Sequence, residues 1–142
     1  MLANRKIVNL CFFGQKGGVS TVLSALDAAL GGFDSQDVLR YLKSVLSPLP
    51  AESVDLMENY GILWGINGNR WLAQWENHPD GLGEEWSDSV NARLQRLNTD
   101  RETALRPLAR LRDRFRSARI MQEQIHALCD FFEEIRLAER LG

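Results

Sequence analysis

The sequence predicts a mainly α-helical domain of about six helices, preceded by one short β-strand. Apolar residues recur at intervals of three and four positions along most of the chain, which is the period of an amphipathic helix. Only residues 5–13 concentrate β-forming side chains. The chain has 142 residues, of which 44% are hydrophobic and 25% charged, and this composition is typical of one globular domain rather than a disordered segment.

The chain begins with a predicted strand over residues 5–13, where Ile7 and Phe12 are typical strand formers. A single strand leaves its backbone donors and acceptors unpaired. We therefore expect its partner strands to lie outside this chain or in a second copy. We divide the chain into a strand with a glycine-rich connector, residues 1–18, and a helical domain, residues 19–142.

A glycine-rich turn, Gly14–Thr21, follows the strand and resembles a phosphate-binding loop. A Walker A loop needs Lys and then Ser or Thr directly after its last glycine, so that an ammonium and a hydroxyl reach phosphate and Mg²⁺. Val19 stands in that place. The ParA-type variant needs a second Lys near Thr21, and the sequence has none there. We interpret the turn as a connector, with a degenerate ParA-like nucleotide binder as the rival interpretation.

Three helices are predicted in the first half of the chain. Helix-capping residues and apolar periodicity set their bounds. These bounds are Val19 or Thr21 to Gly31 or Gly32, Asp34 or Ser35 to Leu46, and Glu52 to Trp64. Pro48 and Pro50 separate the second helix from the third, because proline cannot continue a helix.

The longest periodic stretch starts at Trp86 and has apolar residues every three or four positions as far as Phe115. Thr99 and Glu102 match a capping box, which predicts the start of a new helix there. Pro107 has no backbone N–H, so we expect a kink there or a break just before it. Ser117 is the predicted cap of the last helix. The apolar face of that helix is Met121, Ile125, Leu128, Phe132 and Ile135.

The apolar faces also predict which side chains are buried. The eight residues that we expect in the core are Leu42, Tyr60, Leu63, Leu94, Leu108, Phe115, Leu128 and Phe132. The loop at residues 76–83 contains Gly81 and Gly83, and we expect it to be mobile. Tryptophans in a chain of this size usually anchor the core. Trp71, beside Asn69 and Arg70 after a glycine break, is the best candidate for an exposed ring that stacks on a nucleic-acid base.

Arginine is the strongest binding signal in the sequence. Residues 93–119 contain nine Arg and three acidic residues, whereas the whole chain has a net charge of −2. Arg106, Arg110 and Arg114 step by four along one edge of a helix. Arg112, Arg116 and Arg119 form a second edge. Two interpretations stay open, namely ion pairing with acidic protein surfaces and contact with nucleic-acid phosphates.

Other residues with catalytic or metal-binding chemistry do not form a recognisable site in the sequence. His126 and Cys129 are three positions apart on one helix face, but two ligands do not make a zinc site. The acidic pairs fall at helix starts or on polar faces, which is typical of solvated surface. We therefore expect no catalytic residue, cofactor or metal in this chain.

The two cysteines, Cys11 and Cys129, are too few for a disulfide framework, and this fits a reducing cytoplasm. The longest apolar run covers residues 10–13, far less than a membrane span requires. We expect a cytoplasmic location and no contact with a membrane.

Three short motifs resemble the AddB subunit of the bacterial AddAB helicase–nuclease. They are Asp37–Ser44, Leu56–Tyr60 and Trp64–Trp71, in this order and at the spacing of the AddB family. No single motif is specific, but the three in series are. Because AddB subunits are much longer than this chain, we interpret it as an internal piece of such a subunit.

The resemblance implies a fold and a function. It implies that residues 1–18 lead out of a motor-like domain, and that residues 19–142 resemble its inserted helical domain, the 2B-type position. The parent complex unwinds and resects double-strand DNA ends for recombinational repair. Its family uses ATP, Mg²⁺ and a 4Fe–4S cluster, none of whose motifs lies in this chain.

From the resemblance we expect a non-catalytic scaffold and candidate wall of a DNA channel. The expected partners are the rest of the parent subunit, an AddA-like subunit, and DNA bound weakly and without sequence preference. The candidate DNA-binding residues are Arg70, Trp71, Arg106, Arg110, Arg112, Arg114, Arg116 and Arg119. The alternative is a stand-alone helical module that binds another protein.

Overall fold

A computed structural model describes residues 18–141 of the chain, with side chains described for residues 22–136. The described part consists of five α-helices and one short 3₁₀ helix, so the prediction of a mainly helical fold is confirmed. The helices are α1 (Gly18–Leu30), α2 (Ser35–Leu42), α3 (Ala51–Trp64), α4 (Asp88–Ser117) and α5 (Met121–Leu141), with the 3₁₀ helix at Gly68–Trp71 between α3 and α4. The predicted strand at residues 5–13 and Cys11 lie outside the described residues.

A tight turn joins α1 to α2. Gly32 has a φ of 80°, a left-handed conformation that glycine adopts without strain. Phe33 follows with a φ of 59°, which is unusual for a residue other than glycine, and its ring is fully buried. The Asp34 side chain accepts a hydrogen bond of 3.0 Å from the backbone N–H of Gln36 and so caps α2, as predicted.

Helix α2 is shorter than predicted. It ends at Leu42 rather than Leu46, and Val45 is 71% exposed instead of lying on the apolar face. The Ser44 hydroxyl donates to the carbonyl oxygen of Tyr41 at 2.6 Å, which is an alternative partner for a backbone group that a longer helix would use. The side chain therefore helps to end the helix before Pro48 is reached.

Helix α3 ends at Gly65, which has a left-handed conformation. The prediction that Leu63 is buried was wrong, because this side chain is 48% exposed. The buried positions of α3 are Ser53, Val54, Met57 and Tyr60. Continued at helical period, this face passes through Gly61 and Trp64, so Leu63 falls to one side of it.

Helix α4 contains 30 residues and is roughly 45 Å long. It runs without a break through Thr99 and Pro107, so the predicted interruptions were wrong. The Thr99 hydroxyl donates to the carbonyl oxygen of Gln95 at 3.0 Å rather than capping a new helix. Pro107 is buried between Leu105 and Leu108, and this packing keeps the helix continuous past the missing N–H.

Helix α5 begins at Met121, and Ser117 still belongs to α4, so the predicted cap was wrong. The connection is instead held by Glu123, whose carboxylate accepts a hydrogen bond of 2.7 Å from the backbone N–H of Arg119. Met121 is exposed, and the buried face of α5 starts further along the chain.

The core lies around α4, which packs against α5, α1 and α3, while α2 packs against α1 and α3. The predictions for five core residues are confirmed: Leu42, Tyr60, Leu108, Leu128 and Phe132 are buried. Leu94 and Phe115 are partly buried and pack against this core. In the described part of the chain, no helix is long and apolar enough to cross a membrane.

The loop between the 3₁₀ helix and α4, residues 72–87, is held by a dense set of hydrogen bonds. Tyr60 and Asn77 exchange two, because the hydroxyl donates to the Asn77 carbonyl at 3.2 Å and accepts from its N–H at 3.0 Å. The Asn98 side chain of α4 likewise accepts from the Trp75 N–H at 2.8 Å and donates to its carbonyl at 2.9 Å. These contacts fix the loop that the sequence predicted to be mobile.

Candidate nucleic-acid interface

The first predicted arginine edge faces an acidic edge of α5. Arg110 donates to the Glu134 carboxylate at 2.8 Å, and Arg114 forms an ion pair with Asp130. Asp130 and Glu134 are four positions apart, as are the two arginines, so the charges match in pairs between the two helices. These two arginines therefore hold α5 against α4.

A groove of about 530 Å³ lies at this contact, between α4 and α5. Two arginines and four carboxylates line it: Arg110, Arg114, Asp113, Asp130, Glu133 and Glu134. The excess of negative charge disfavours a phosphate group here. The groove is therefore an intramolecular ion-pair site.

Arg106 and Arg112 have different surroundings. Arg106 is exposed and lies 3.5 Å from the Glu102 carboxylate, one turn earlier on the same helix. The guanidinium of Arg112 lies 5.3 Å from the centre of the Phe33 ring, and its Nε is 3.0 Å from the Asp113 carboxylate. Because 18% of the Arg112 side chain is exposed, most of it packs against protein.

Arg116 and Arg119 complete the second predicted edge. Both are exposed at the junction of α4 and α5. Within the part of the chain that the structure describes, neither guanidinium has a carboxylate partner. They are the arginines of the two predicted edges that are best placed to meet a phosphate.

Arg70 and Trp71 do not form the predicted exposed pair. Arg70 is exposed and donates to the carbonyl oxygen of Gly65 at 3.1 Å, across the end of α3. Trp71 is completely buried, so the prediction that its ring is exposed for base stacking was wrong. The glycines before it shape a 3₁₀ turn that directs the ring inward, against Gly61 at 3.5 Å.

Arg101 is the buried arginine of α4. Its Nη1 lies 3.4 Å from the Trp71 carbonyl oxygen, its Nε lies 3.4 Å from the Asn98 side-chain oxygen, and its guanidinium lies over the Trp75 ring. Burial lowers the pKa of Arg101, and the nearby carboxylate of Glu102 raises it. The residue packs against the loop and does not face solvent or a ligand.

Residues of the three motifs meet in the core. The first contributes Val38, Tyr41 and Leu42, the second Met57 and Tyr60, and the third Ile66 and Trp71, and all seven are buried. Polar groups join the motifs as well, because Lys43 of the first forms an ion pair with Glu58 of the second at 2.6 Å. The motifs therefore form one packed unit, although they are separated in sequence.

Ser35 ties the third motif to the start of α2. Its hydroxyl donates to the Ile66 carbonyl oxygen and lies 3.0 Å from the indole N–H of Trp71, which donates to it. Its backbone N–H donates to the Asn67 side chain at 2.8 Å. Nearby, the N–H of Gly68 donates to the Phe33 carbonyl at 3.0 Å. The hydrogen-bonding groups of this junction are satisfied within the protein.

Known proteins similar to this chain share one name, that of the AddB subunit of an ATP-dependent helicase/deoxyribonuclease. The protein of Moorella thermoacetica is 36% identical over 127 residues, which are 87% of this chain and 11% of that protein. The protein of Pelotomaculum thermopropionicum is 34% identical over 128 residues, again 87% of this chain and 11% of the relative. No protein-family model matches the chain.

The chain resembles a segment of AddB. This confirms the resemblance that the three motifs indicated. A third relative, from Caldanaerobacter subterraneus subsp. tengcongensis, is 30% identical over 84% of this chain and 10% of its own length. The chain thus spans about a tenth of the length of the subunits that it matches.

The metal cofactor associated with AddB does not fit the described residues. His126 and Cys129 are both partly buried on α5, three positions apart. Among residues 18–141, no group of three or more His, Cys, Asp or Glu side chains is arranged to hold a metal ion. A cluster with four ligands therefore has no site in this part of the chain.

Two groups of functional residues were not found from the sequence. Asp130 and Glu134 neutralise Arg114 and Arg110, and their matching spacing of four was a usable signal. Arg93 forms two hydrogen bonds with Asp80, at 3.1 and 2.5 Å. Residues 80 and 93 are joined only by the folded loop, so no periodic pattern in the sequence relates them.

Proposed function

We propose that the chain is a non-catalytic helical segment of an AddB-like subunit in a DNA helicase/exonuclease complex that resects double-strand breaks for recombinational repair. It serves as a scaffold and as part of the wall of a DNA channel. The observation that carries this proposal is that the three motifs shared with AddB are packed against each other. Signature residues of an active site instead converge on a cleft with polar groups free to meet a substrate.

The rest of the parent subunit and an AddA-like subunit are the proposed partners. ATP, Mg²⁺ and the 4Fe–4S cluster of the family belong, on this proposal, to other parts of the complex. The Trp71 indole and the Ser35 hydroxyl, which are the best-placed polar groups of the motifs, are both occupied within the fold. Their role is to hold the third motif against α2.

DNA contact is proposed for the exposed arginine end of α4, through phosphates and without sequence preference. Arg116 and Arg119 are the strongest candidates, with Arg106 and Arg70 as weaker contributors, because Arg110 and Arg114 are ion-paired and Arg112 is packed. Two to three phosphate contacts on single-stranded DNA give a slope of about −1.4 to −2.1 for log affinity against log salt. The affinity should lie in the nonspecific range of about 10⁻⁴–10⁻⁶ M.

Fluorescence anisotropy on labelled single-stranded DNA tests this contact. Replacing Arg116 and Arg119 by Gln should flatten the salt dependence. Replacing Arg110 and Arg114 by Gln is the matched control, with the same change of charge at ion-paired positions, and it should leave the slope nearly unchanged. Equal losses in both double variants would show that general charge, not the end of α4, determines binding.

Transplantation tests the scaffold role. In the Moorella thermoacetica subunit, the matched segment is replaced by this chain, and assembly with its partner subunit and DNA degradation are measured. We expect the transplanted subunit to assemble and to retain activity, while the isolated chain neither hydrolyses ATP nor cuts DNA. A folded transplant that does not assemble, or nuclease activity in the isolated chain, would refute the proposal.

A further inference from the structure

A group of apolar side chains is exposed where α3 ends and the loop 72–87 turns back. Ile62 is 73% exposed, Leu82 is 91% exposed and Trp86 is 52% exposed. Gly81, next to Leu82, lies 3.9 Å from the half-exposed Leu63 side chain. We call Ile62, Leu63, Leu82 and Trp86 the apolar patch. Exposed apolar side chains grouped in this way are typical of a contact with another molecule.

The patch is held in shape by a buried histidine. His78 Nδ1 accepts from the Asp80 N–H at 2.9 Å, so its Nε2 carries the proton and donates to the Glu85 carbonyl oxygen at 2.9 Å. The Trp86 ring packs against the His78 ring at 4.8 Å between centres. One side chain therefore ties together both arms of the loop that presents Leu82.

Two further contacts fix the loop to the helices behind it. The Trp64 indole N–H of α3 donates to the His78 carbonyl oxygen at 2.9 Å. Asp80 accepts both hydrogen bonds of the Arg93 guanidinium, which comes from α4. A loop fixed in this way loses little conformational entropy when it binds, and that lowers the cost of association.

The border of the patch is acidic. Glu84, Glu85 and Asp88 are exposed next to Leu82 and Trp86 in the sequence. Within the described residues, none of the three forms a salt bridge. Negative charge at this border favours a basic partner surface and disfavours DNA.

We infer that the apolar patch docks into an apolar groove with a basic rim on another part of the same helicase–nuclease subunit. The inference rests on the proposed function. The matched relatives are about ten times longer than this chain, so most of such a subunit is available to provide the groove. A second copy of this chain fits poorly, because a symmetric contact would place the acidic borders against each other.

The test uses the transplanted Moorella thermoacetica subunit with one of two changes. Leu82→Glu places a charge in the centre of the patch. Val45→Glu is the matched control, since Val45 is a similarly exposed apolar residue on the α2–α3 connection. Hydroxyl-radical footprinting should show Leu82 and Trp86 protected in the transplanted subunit and reactive in the isolated chain, with Val45 reactive in both.

Binding can be measured separately by sedimentation. The isolated chain is added to the relative's subunit from which the matched segment has been deleted. Leu82→Glu should weaken this association by about 10-fold or more, and Val45→Glu should not. Changing Glu84 and Glu85 to Lys should also weaken it, and most strongly at low salt.

The outcomes separate the two proposals. An active transplant in which Leu82 stays reactive, or equal binding by Leu82→Glu and Val45→Glu, would overturn the docking site but leave the scaffold role intact. A dimer of the isolated chain that Leu82→Glu dissolves would assign the patch to a second copy and overturn the inference. An inactive transplant with Leu82 protected would contradict the scaffold role alone.

Discussion

Two regions of this molecule are held together in different ways. The motif region, α2 to the 3₁₀ helix with the loop 72–87, is joined by buried rings and neutral hydrogen bonds such as those of Tyr60 and Ser35. The α4–α5 pair also has an apolar face, but its polar contacts are ion pairs at the surface, Arg110 with Glu134 and Arg114 with Asp130.

The difference separates two signals that occur together in the sequence. The resemblance to AddB lies in the region of neutral contacts, where the motif residues determine the local fold. The charge pattern lies in α4, and half of its predicted binding edge stabilises a helix pair. A dense arginine stretch is thus not by itself a nucleic-acid surface, because its carboxylate partners can lie on the next helix.

The largest expected effect is at the centre of the motif region. Trp71→Ala removes a fully buried ring and the hydrogen bond to Ser35, and should lower the free energy of unfolding by about 3–5 kcal/mol. Trp86→Ala, at a half-exposed ring, is the control and should cost less. Chemical denaturation measures both, and similar losses would show that the motif residue has no special role in the core.

A pair of tyrosines provides the next comparison. Tyr60→Phe removes a hydroxyl that makes two hydrogen bonds with Asn77, and should destabilise the protein by about 1–3 kcal/mol. The Tyr41 hydroxyl is buried without a partner among the described residues, and its burial raises its pKa. Tyr41→Phe should therefore be neutral or stabilising by up to about 1 kcal/mol. Thermal unfolding that shows equal destabilisation would mean that the Tyr41 hydroxyl is bonded.

The ion pairs of α4 and α5 should contribute less. Each is largely exposed, so Arg110→Gln and Arg114→Gln should each cost about 0.2–1 kcal/mol. Their joint effect should shrink at high salt, because screening weakens exposed charge pairs. Denaturation at low and high salt measures this. A loss that does not depend on salt would indicate that the arginine stems act through packing.

The smallest effect is a pH dependence at the border of the motif region. The hydrogen bonds from Arg93 lower the pKa of Asp80. A carboxyl with a lowered folded pKa stabilises the protein above its unfolded pKa, and this contribution is lost as pH falls through the folded pKa. The melting temperature of Asp80→Asn should therefore lie below that of the wild type at neutral pH and converge with it in acid. Glu84→Gln, at a carboxylate without a salt bridge in the described residues, should show no such convergence.

Much of the fold follows from local patterns in the sequence. The caps at Asp34 and Gly65, the helical periodicity and most of the core were predictable because they depend on neighbouring residues. Pro107 and Thr99 were misread for a physical reason. Local signals favour a break at each, but buried residues on both sides keep α4 continuous.

The candidate site was less predictable, because exposure depends on tertiary contacts. Trp71 and Arg70 are adjacent in sequence, yet one is buried and the other exposed. The partners of Arg110 and Arg114 lie about 20 positions away, across the turn between α4 and α5. Spacing marked the arginines, and only the folded helix pair showed which of them are engaged.

The central claim is that the residues shared with AddB act by packing. The most direct test measures DNA degradation and the folded fraction of the transplanted Moorella thermoacetica subunit carrying Trp71→Ala, over a range of temperatures. If Trp71 acts only through the fold, activity should fall in proportion to the folded fraction and be retained where the variant is folded. A variant that is folded but inactive would contradict the claim and assign Trp71 a direct role in DNA processing.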